Sequence, residues 1–291
     1  MQSYKSNKNM TTQKLELYPG SELLVDSERP DLLSKVRNYD ESSKNLISII
    51  IPVYNEEKTI KNVISRIPNH HNYEILIVND GCTDKSVQKV NEIKTHDIKI
   101  LNHNINRGYG AAILTGLNHA KGEIIVTLDS DGQHLPEEIP LLINPLLNNE
   151  CDIVIGSRYL GNCKYSVPLH TRIGENFIDF ALWLLFDQNI KNNQSGFRAF
   201  SKESLELFND LIYNNFGLCT EIIFKAALDG FQMKEVPITV KSRKHGNSSV
   251  HLVKITISIL SCILIYGLKK FKLLDFIPKT IIYKLSKRII K

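Results

Sequence analysis

The sequence predicts an α/β domain on a mainly parallel sheet, and three observations predict it. Short apolar runs rich in β-branched residues read as strands buried on both faces. These runs alternate with stretches of helical length, the order of a parallel α/β domain. Several strand candidates also end in polar clusters, where open parallel sheets bind their ligands.

The elements follow in order. Residues 1–45 are polar and broken by Pro19-Gly20 and Pro30, with a short helix expected over 31–36. They read as an extension to which no function is assigned. From Leu46 the pattern is regular, with strands expected at 46–51 (LISIII), 73–78 (YEILIV), 98–101 (IKIL), 123–128 (EIIVTL) and 151–155 (CDIVI). Helices are expected between and after them, at 58–67, 85–93, 111–120 and 136–147. A long apolar helix at 170–186 follows, then a Gly-Phe-Arg-Ala-Phe stretch, helices at 203–211 and 219–228, and a strand at 234–240. Three regions result: an extension (1–45), the α/β domain (46–250) and a C-terminal segment (251–291).

The 291 residues are 42% hydrophobic and 23% charged, ordinary for a chain with a real core. The net charge of +5 is concentrated in the tail. From Lys269 onward there are seven lysines and Arg288 against the single acid Asp275. The remainder is near neutral, which argues against a nucleic-acid binder with a broad basic face and fits a tail that meets an anionic membrane. Residues 252–268 (LVKITISILSCILIYGL) carry one charge, Lys254, and stand at the lower limit for spanning a bilayer. After Pro278, Ile281, Ile282, Leu285 and Ile289 recur at helical spacing, as in an interfacial amphipathic helix. The expected location is the cytoplasmic face of a membrane, peripheral or single-pass through 252–268; a buried helix of a soluble domain is the plainer alternative. The five cysteines show no C-x-x-C and read as reduced thiols. The nine histidines form no metal-ligand pattern, and His70-His71 reads as a solvated loop. No signal peptide is visible.

The chemistry concentrates where strand 123–128 runs into Asp129-Ser130-Asp131-Gly132-Gln133-His134. Two carboxylates one residue apart, with Gln133 as a further oxygen ligand, suit Mg²⁺ or Mn²⁺ holding a diphosphate. An isolated D-x-D is also ordinary turn chemistry. The first strand runs into Pro52-Val53-Tyr54-Asn55-Glu56 and the second into Val78-Asn79-Asp80-Gly81. Asp80 is a candidate acceptor for a nucleobase and Tyr54 a packing surface, although Asp80-Gly81 is equally a strand-ending turn. Asn106-Arg107-Gly108-Tyr109-Gly110 lacks the context of a dinucleotide loop, and its glycines read as close packing at a helix N-terminus. Neither a Walker loop nor a G-x-S-x-G elbow occurs, which disfavours nucleotide hydrolysis and acyl transfer.

IPVYNEE, VNDGCTD, NRGYGAAILTG, DSDGQH, GSRY (Gly156 to Tyr159), SGFRAF and EVPITVKSRKHG occur in this order. Together they resemble family 2 glycosyltransferases over about residues 46–250, and most of all the dolichol-phosphate mannose synthase and polyprenyl-phosphate glycosyltransferase branch. The resemblance implies a GT-A fold, a Rossmann-like nucleotide-sugar domain with helices on both faces of the sheet. It implies inverting transfer of one sugar to a polyprenyl phosphate, with GDP-mannose the preferred donor and UDP-glucose or UDP-N-acetylglucosamine the alternatives. It puts Pro52, Tyr54, Glu56, Val78 and Asp80 around the nucleoside, and Asp129, Ser130, Asp131 and Gln133 at the metal and diphosphate. It puts Arg158 and Arg172 at the acceptor phosphate and Arg243 at the donor diphosphate.

Two departures bear on this. Ser249 stands where the mannose synthases carry a lysine; Lys244 and Lys254 are the candidate substitutes. Gln194-Ser195-Gly196-Phe197-Arg198 lacks the Q-x-x-R-W of processive synthases, which disfavours polymerisation. Glu221 is the candidate base if the acceptor is a hydroxyl of a saccharide or protein, and otherwise orients the sugar or an arginine. A non-catalytic membrane adaptor of the same fold is the reading from another class, and the intact Asp129/Asp131 pair speaks against it. The implied partners are a nucleotide sugar, a polyprenyl phosphate and a membrane surface, without nucleic acid; a homo-oligomer stays open.

Overall fold

The computed structural model describes residues 12–16, 22–26, 46–68, 72–94, 97–209, 211–213, 217–243 and 252–273. The chain divides into two units, Met1–Ser43 and Lys44–Lys291. In the first, β1 (Thr12–Glu16) and β2 (Glu22–Asp26) pair antiparallel with Thr12 opposite Asp26. The sequence reading assigned no strands here, although two runs flanking Pro19-Gly20 carry the hairpin signal. That Pro-Gly pair, the helix expected at 31–36, His70-His71, Lys244, Ser249 and the tail beyond 273 lie outside the described residues.

The second unit is built on one sheet. Its strands are β3 (Ile47–Val53), β4 (Tyr73–Asp80), β5 (Ile98–His103), β6 (Ile124–Thr127), β7 (Ile153–Cys163), β8 (Arg198–Ser201) and β9 (Met233–Val240). They run in the order β5-β4-β3-β6-β8-β7-β9. β5, β4, β3 and β6 are mutually parallel, β8 is antiparallel to β6 and β7, and β9 is parallel to β7. The helices are α1 (Ile60–Ser65), α2 (Ser86–Asn91), α3 (Tyr109–Leu117), α4 (Ile139–Leu147), α5 (Leu169–Phe186), α6 (Gly217–Asp229) and α7 (Leu252–Lys270). The expected α/β fold with a mainly parallel sheet is therefore found. The Gly-Phe-Arg-Ala-Phe stretch supplies the unanticipated reversed strand β8. Residues Glu203–Phe208 form a 3₁₀ turn where an α-helix was expected.

β3 is the axis of the sheet, and all seven of its residues are buried between helices and neighbouring strands. Its isoleucines suit that place, since β-branched side chains fit the pleat and each contributes roughly 1.5–3 kcal/mol on burial. Ile50 sits opposite Leu76 of β4 and Thr127 of β6, so the polar sequences after these strands emerge at one end of the sheet.

The C-terminal helix differs from its expectation. Among the described residues no helix is long and apolar enough to cross a membrane, so a single-pass span over 252–268 is not supported. Instead Ile259, Cys262 and Tyr266 of α7 join the core with Ile178 and Leu182 of α5 and Ile222 and Phe224 of α6. Polar groups fasten the same face: Tyr213 Oη and Ser261 Oγ are 2.5 Å apart, and Tyr266 Oη donates to Glu221 Oε1 at 3.0 Å. The opposite faces stay apolar and open. α5 exposes Leu169, Ile173, Phe177, Phe180, Trp183 and Leu184, and α7 exposes Ile257, Leu260 and Leu264.

A buried acid ties the turn after β6 to β9. Glu138 ends the 3₁₀ turn Pro136–Glu138 and accepts from Thr239 N at 2.8 Å. Burial outweighs that bond and pushes the carboxyl from 4.5 up to about 7. The folded pKa lies above the unfolded one, so the folded chain holds the proton more tightly. This stabilisation is complete below the unfolded value and is lost as pH rises toward the folded one. Glu138→Gln is therefore expected to gain on the parent between about pH 5 and about pH 8, reaching on the order of 3 kcal/mol. Thermal midpoints across that range check it; a constant difference refutes it.

Candidate active site

The site is assembled beyond the carboxyl ends of β3, β4 and β6. Leu128 continues the ladder by donating to Ile50 O at 3.0 Å, and the chain then turns at Asp129. Ser130 Oγ donates to Pro52 O at 2.8 Å, which ties this turn to the end of β3. Gly132 takes φ +75°, a conformation open to glycine, and Gln133 N closes the turn by donating to Asp131 Oδ1 at 3.0 Å. Gln133 is then stitched to the end of β9. Lys241 N donates to Gln133 O at 2.8 Å, and Gln133 Nε2 donates to Lys241 O at 3.0 Å. With its nitrogen anchored, the amide presents Oε1 as the available oxygen.

This stitch brings Arg243 to the acids. Its Nη1 lies 4.0 Å from Asp131 Oδ2, and its Nη2 donates to Glu56 Oε1. Burial raises the Glu56 pKa; the Thr59 hydroxyl, bonded to Oε2 at 2.9 Å, and Arg243 oppose the rise. Burial, then the charge of Asp129, raises the Asp131 pKa, with Gln133 N, His134 and Arg243 opposing. His134, which the sequence reading gave no role, places Nε2 3.5 Å from Asp129 Oδ2.

The expected nucleoside residues divide. Tyr54 is exposed beside the site, and the loops after β3 and β4 brace each other through Thr83 N→Asn55 Oδ1 (2.8 Å) and Glu57 N→Asp84 Oδ2 (3.1 Å). Pro52 is buried and contributes its carbonyl to Ser130. The Val78 side chain is 0% exposed in the core, so no face of it reaches a nucleoside. Asp80, 3% exposed, spends its carboxylate on the protein. Oδ1 accepts from Arg107 N at 2.8 Å and lies 2.7 Å from His103 Nδ1, while Oδ2 accepts from Gly108 N at 2.9 Å. Asp80 thus shapes the loop before α3 rather than offering an open acceptor to a base.

The two expected acceptor arginines lie on β7 and α5. Arg158 Nη2 donates to Glu175 Oε1 at 2.5 Å and Nη1 to Tyr165 Oη at 3.2 Å, while Tyr159 Oη donates to Glu175 Oε2. Burial alone lowers the Arg158 pKa, and the Glu175 carboxylate outweighs it and raises it. Arg158 Nε is buried without an acceptor. Arg172 is exposed on α5, one turn before Glu175. Glu175 carried no signal in the sequence, because its partner is fixed only by packing.

Glu221 is 0% exposed. Its carboxylate accepts from Ile212 N (2.9 Å), Tyr213 N (2.9 Å) and Tyr266 Oη (3.0 Å). Burial raises its pKa against those donors. It fastens α7 to α6, an arrangement at odds with a base facing a sugar hydroxyl.

Among the described residues no three His, Cys, Asp or Glu side chains gather to hold a metal ion. The donor set is two carboxylates and an amide oxygen, all hard ligands. Asp131 already feels the repulsion of Asp129, which a divalent cation would relieve. The residues present therefore fit Mg²⁺ or Mn²⁺ at Asp129, Asp131 and Gln133.

Residues 48–208 match the family described as Glycosyl transferase family 2. The chain is 34% identical over 212 residues to a UDP-N-acetylglucosamine–dolichyl-phosphate N-acetylglucosaminyltransferase of Methanococcus voltae, covering 66% of this chain and 84% of that one. It is 34% identical over 211 residues to a dolichol-phosphate mannosyltransferase of Pyrococcus furiosus, covering 70% of this chain and 59% of that one. It is 29% identical to a polyprenol monophosphomannose synthase of Mycolicibacterium smegmatis over 69% of this chain and 80% of the relative. Among solved structures, glucosyl-3-phosphoglycerate synthase of Mycobacterium tuberculosis superposes with TM-score 0.62 at 20% identity, covering 77% of this chain and 82% of that one. That likeness is one of fold.

Arg243 keeps Glu56 and Asp131 from facing each other as uncompensated acids. Removing it raises both folded pKa values further above their unfolded values. Arg243→Ala is therefore expected to lose stability relative to the parent as pH rises through the titration of these two acids. Parallel thermal melts read the difference, and a pH-independent offset refutes the electrostatic role.

Proposed function

The chain belongs to glycosyl transferase family 2, and on that premise we propose that it transfers one sugar from a nucleotide sugar to a polyprenyl-type phosphate at a membrane surface. The observation that carries the reading is the convergence of Asp131, Gln133 and Arg243 beyond the strand ends, with Asp129 near enough for its charge to raise the Asp131 pKa. Such a set holds a diphosphate and offsets the charge that grows on it as it leaves. A phosphate monoester has its second pKa near 6 and is largely dianionic at neutral pH, so it attacks without a strong base. Its oxygen forms a bond to the anomeric carbon as the bond to the diphosphate breaks. The electron pair leaves with the nucleoside diphosphate, and the anomeric configuration inverts.

The residues then have these roles. Arg243 stabilises the departing diphosphate, with Glu56 orienting its guanidinium. A divalent cation held by Asp129, Asp131 and Gln133 would add positive charge there. Arg158 and Arg172 flank Glu175 and supply a planar grip for the acceptor phosphate. Tyr54 offers an exposed ring to the base. The saturated state of Glu221 weighs against the hydroxyl-acceptor alternative. The relatives divide between mannose and N-acetylglucosamine, so GDP-mannose and UDP-N-acetylglucosamine are the first donors to compare.

Support for the membrane comes from the open faces of α5 and α7. Six large apolar residues of α5 recur at helical spacing and include Trp183, and Lys269 and Lys270 stand at the end of α7. An apolar stripe beside basic charge suits the interface of an anionic bilayer without spanning it.

The test is transfer itself. With Mn²⁺, polyprenyl phosphate and labelled nucleotide sugars, label from one donor is expected in the organic extract. Asp131→Asn is expected to lower the rate roughly 100-fold or more while the fold is kept. Full activity in that variant would sink the role of Asp131 at the metal. Donor binding without lipid-linked label from any sugar would sink the lipid-phosphate acceptor.

A further inference from the structure

Asp129 is backed by main chain. The turn before β8 passes so close that a Cβ at Gly196 would stand 2.4 Å from both Asp129 carboxylate oxygens. Real carbons do not approach that near, so any side chain at 196 must drive the carboxylate away. The turn is itself held on several sides. Thr127 Oγ1, on the strand that leads to Asp129, donates to Gly196 O at 2.7 Å. Gly156 N of β7 donates to Phe197 O at 2.9 Å, and Ser195 N to Asn192 O at 3.1 Å.

The strongest support is Arg198. It is 2% exposed, and its guanidinium donates to Ser195 O (2.8 Å), Asn193 O (2.8 Å) and Cys219 O (3.1 Å). A buried arginine ordinarily pairs with a carboxylate. This one is hydrogen-bonded to carbonyls, two of them in the turn that touches Asp129. The Tyr109 hydroxyl, from the first turn of α3, donates to Asp129 from another side. Tyr109, Thr127, Arg198 and Cys219 line one cavity of about 10 Å³ behind the site, room for a single water.

We propose that the Asn193 to Gly196 turn, clamped by Arg198, is the seat that fixes the Asp129 carboxylate toward a metal-bound diphosphate, so that Gly196 and Arg198 are positioning residues of the site. The inference rests on the sugar-transfer reading for its ligand and on the steric fit for its residues. Neither residue touches the ligand; both act through Asp129. The SGFR sequence is thereby given a task that its place in a strand alone does not supply.

Mn²⁺ binding tests it without requiring turnover. Mn²⁺ is titrated into the full chain with saturating GDP or UDP, and free Mn²⁺ is read by its electron paramagnetic resonance signal. Gly196→Ala and Arg198→Lys are each expected to weaken Mn²⁺ binding about tenfold or more, the usual scale for groups that orient a ligand. Thr127→Val, which removes one bond to the turn, is expected to weaken it about threefold. The KM for polyprenyl phosphate is expected to stay within about twofold, whereas general loosening of the fold would move both. If Gly196→Ala does not fold, the other two variants decide. Mn²⁺ affinities within about twofold of the parent in folded variants overturn the seat and leave the transfer reading standing. A parent that binds Mn²⁺ with neither nucleotide overturns both. A parent that binds it and transfers no sugar overturns the transfer reading alone.

Discussion

Two carboxylates one residue apart, both half-buried, repel each other unless positive charge is brought to them. Much of the structure around the strand ends answers that constraint. Asp131 has the Arg243 guanidinium at 4.0 Å, and Asp129 lies 3.5 Å from the His134 ring, which adds positive charge only when protonated. Arg243 arrives there because the end of β9 is stitched to the turn that follows β6, through Gln133 with Lys241 and the bridge of His134 to Val240. In the sheet β9 is separated from β6 by β8 and β7. Its end reaches the turn because β7 and β9 carry an irregularity between Ser157 and Asn162 that shifts their register, and such bulges bend and twist a strand pair. The same arginine also satisfies Glu56 at the end of β3, so one guanidinium joins the first, fourth and last strands of this unit.

What the sequence disclosed follows from how local each signal is. The parallel strands were legible because a buried strand writes its environment into consecutive residues, as in LISIII and EIIVTL. The acid pair was legible because its chemistry depends on a spacing of two. β8 was not, since four residues that include a buried arginine carry no alternation, and its place between β6 and β7 is set by pairing across the fold. Polar residues were the least legible. Asp80 and Asp129 both follow apolar runs, yet Asp80 is consumed by amides 27 and 28 residues away. Glu221 and Glu175 differ from surface glutamates only in partners supplied by tertiary packing. Family resemblance pointed to these neighbourhoods without saying which side chains in them face outward.

The C-terminal helix shows why an apolar run does not by itself name its surroundings. Its sequence is nearly long enough to span a bilayer, but Ser261 and Tyr266 share a face with Ile259 and Cys262, and that face is packed against Tyr213, Glu221 and the core. A polar group on a helix facing lipid needs an internal partner. Here the partners belong to the α/β unit, so packing onto that unit satisfies them and leaves Ile257, Leu260 and Leu264 on the open side.

α5 carries the same logic further, because its two faces belong to different environments. Inward, Glu175 is 2% exposed and holds Arg158 by a charge-assisted bond at 2.5 Å. Outward, Phe177, Phe180, Trp183 and Leu184 are exposed. A rigid helix of 18 residues transmits position from one face to the other. Whatever seats the outer face therefore also sets where Glu175 holds Arg158. Under the proposed reading, the helix that rests on the lipid surface is the one that aims the arginine at a phosphate anchored in that surface. Surface contact and acceptor recognition then share one helix, its outer face serving the first and its inner face the second.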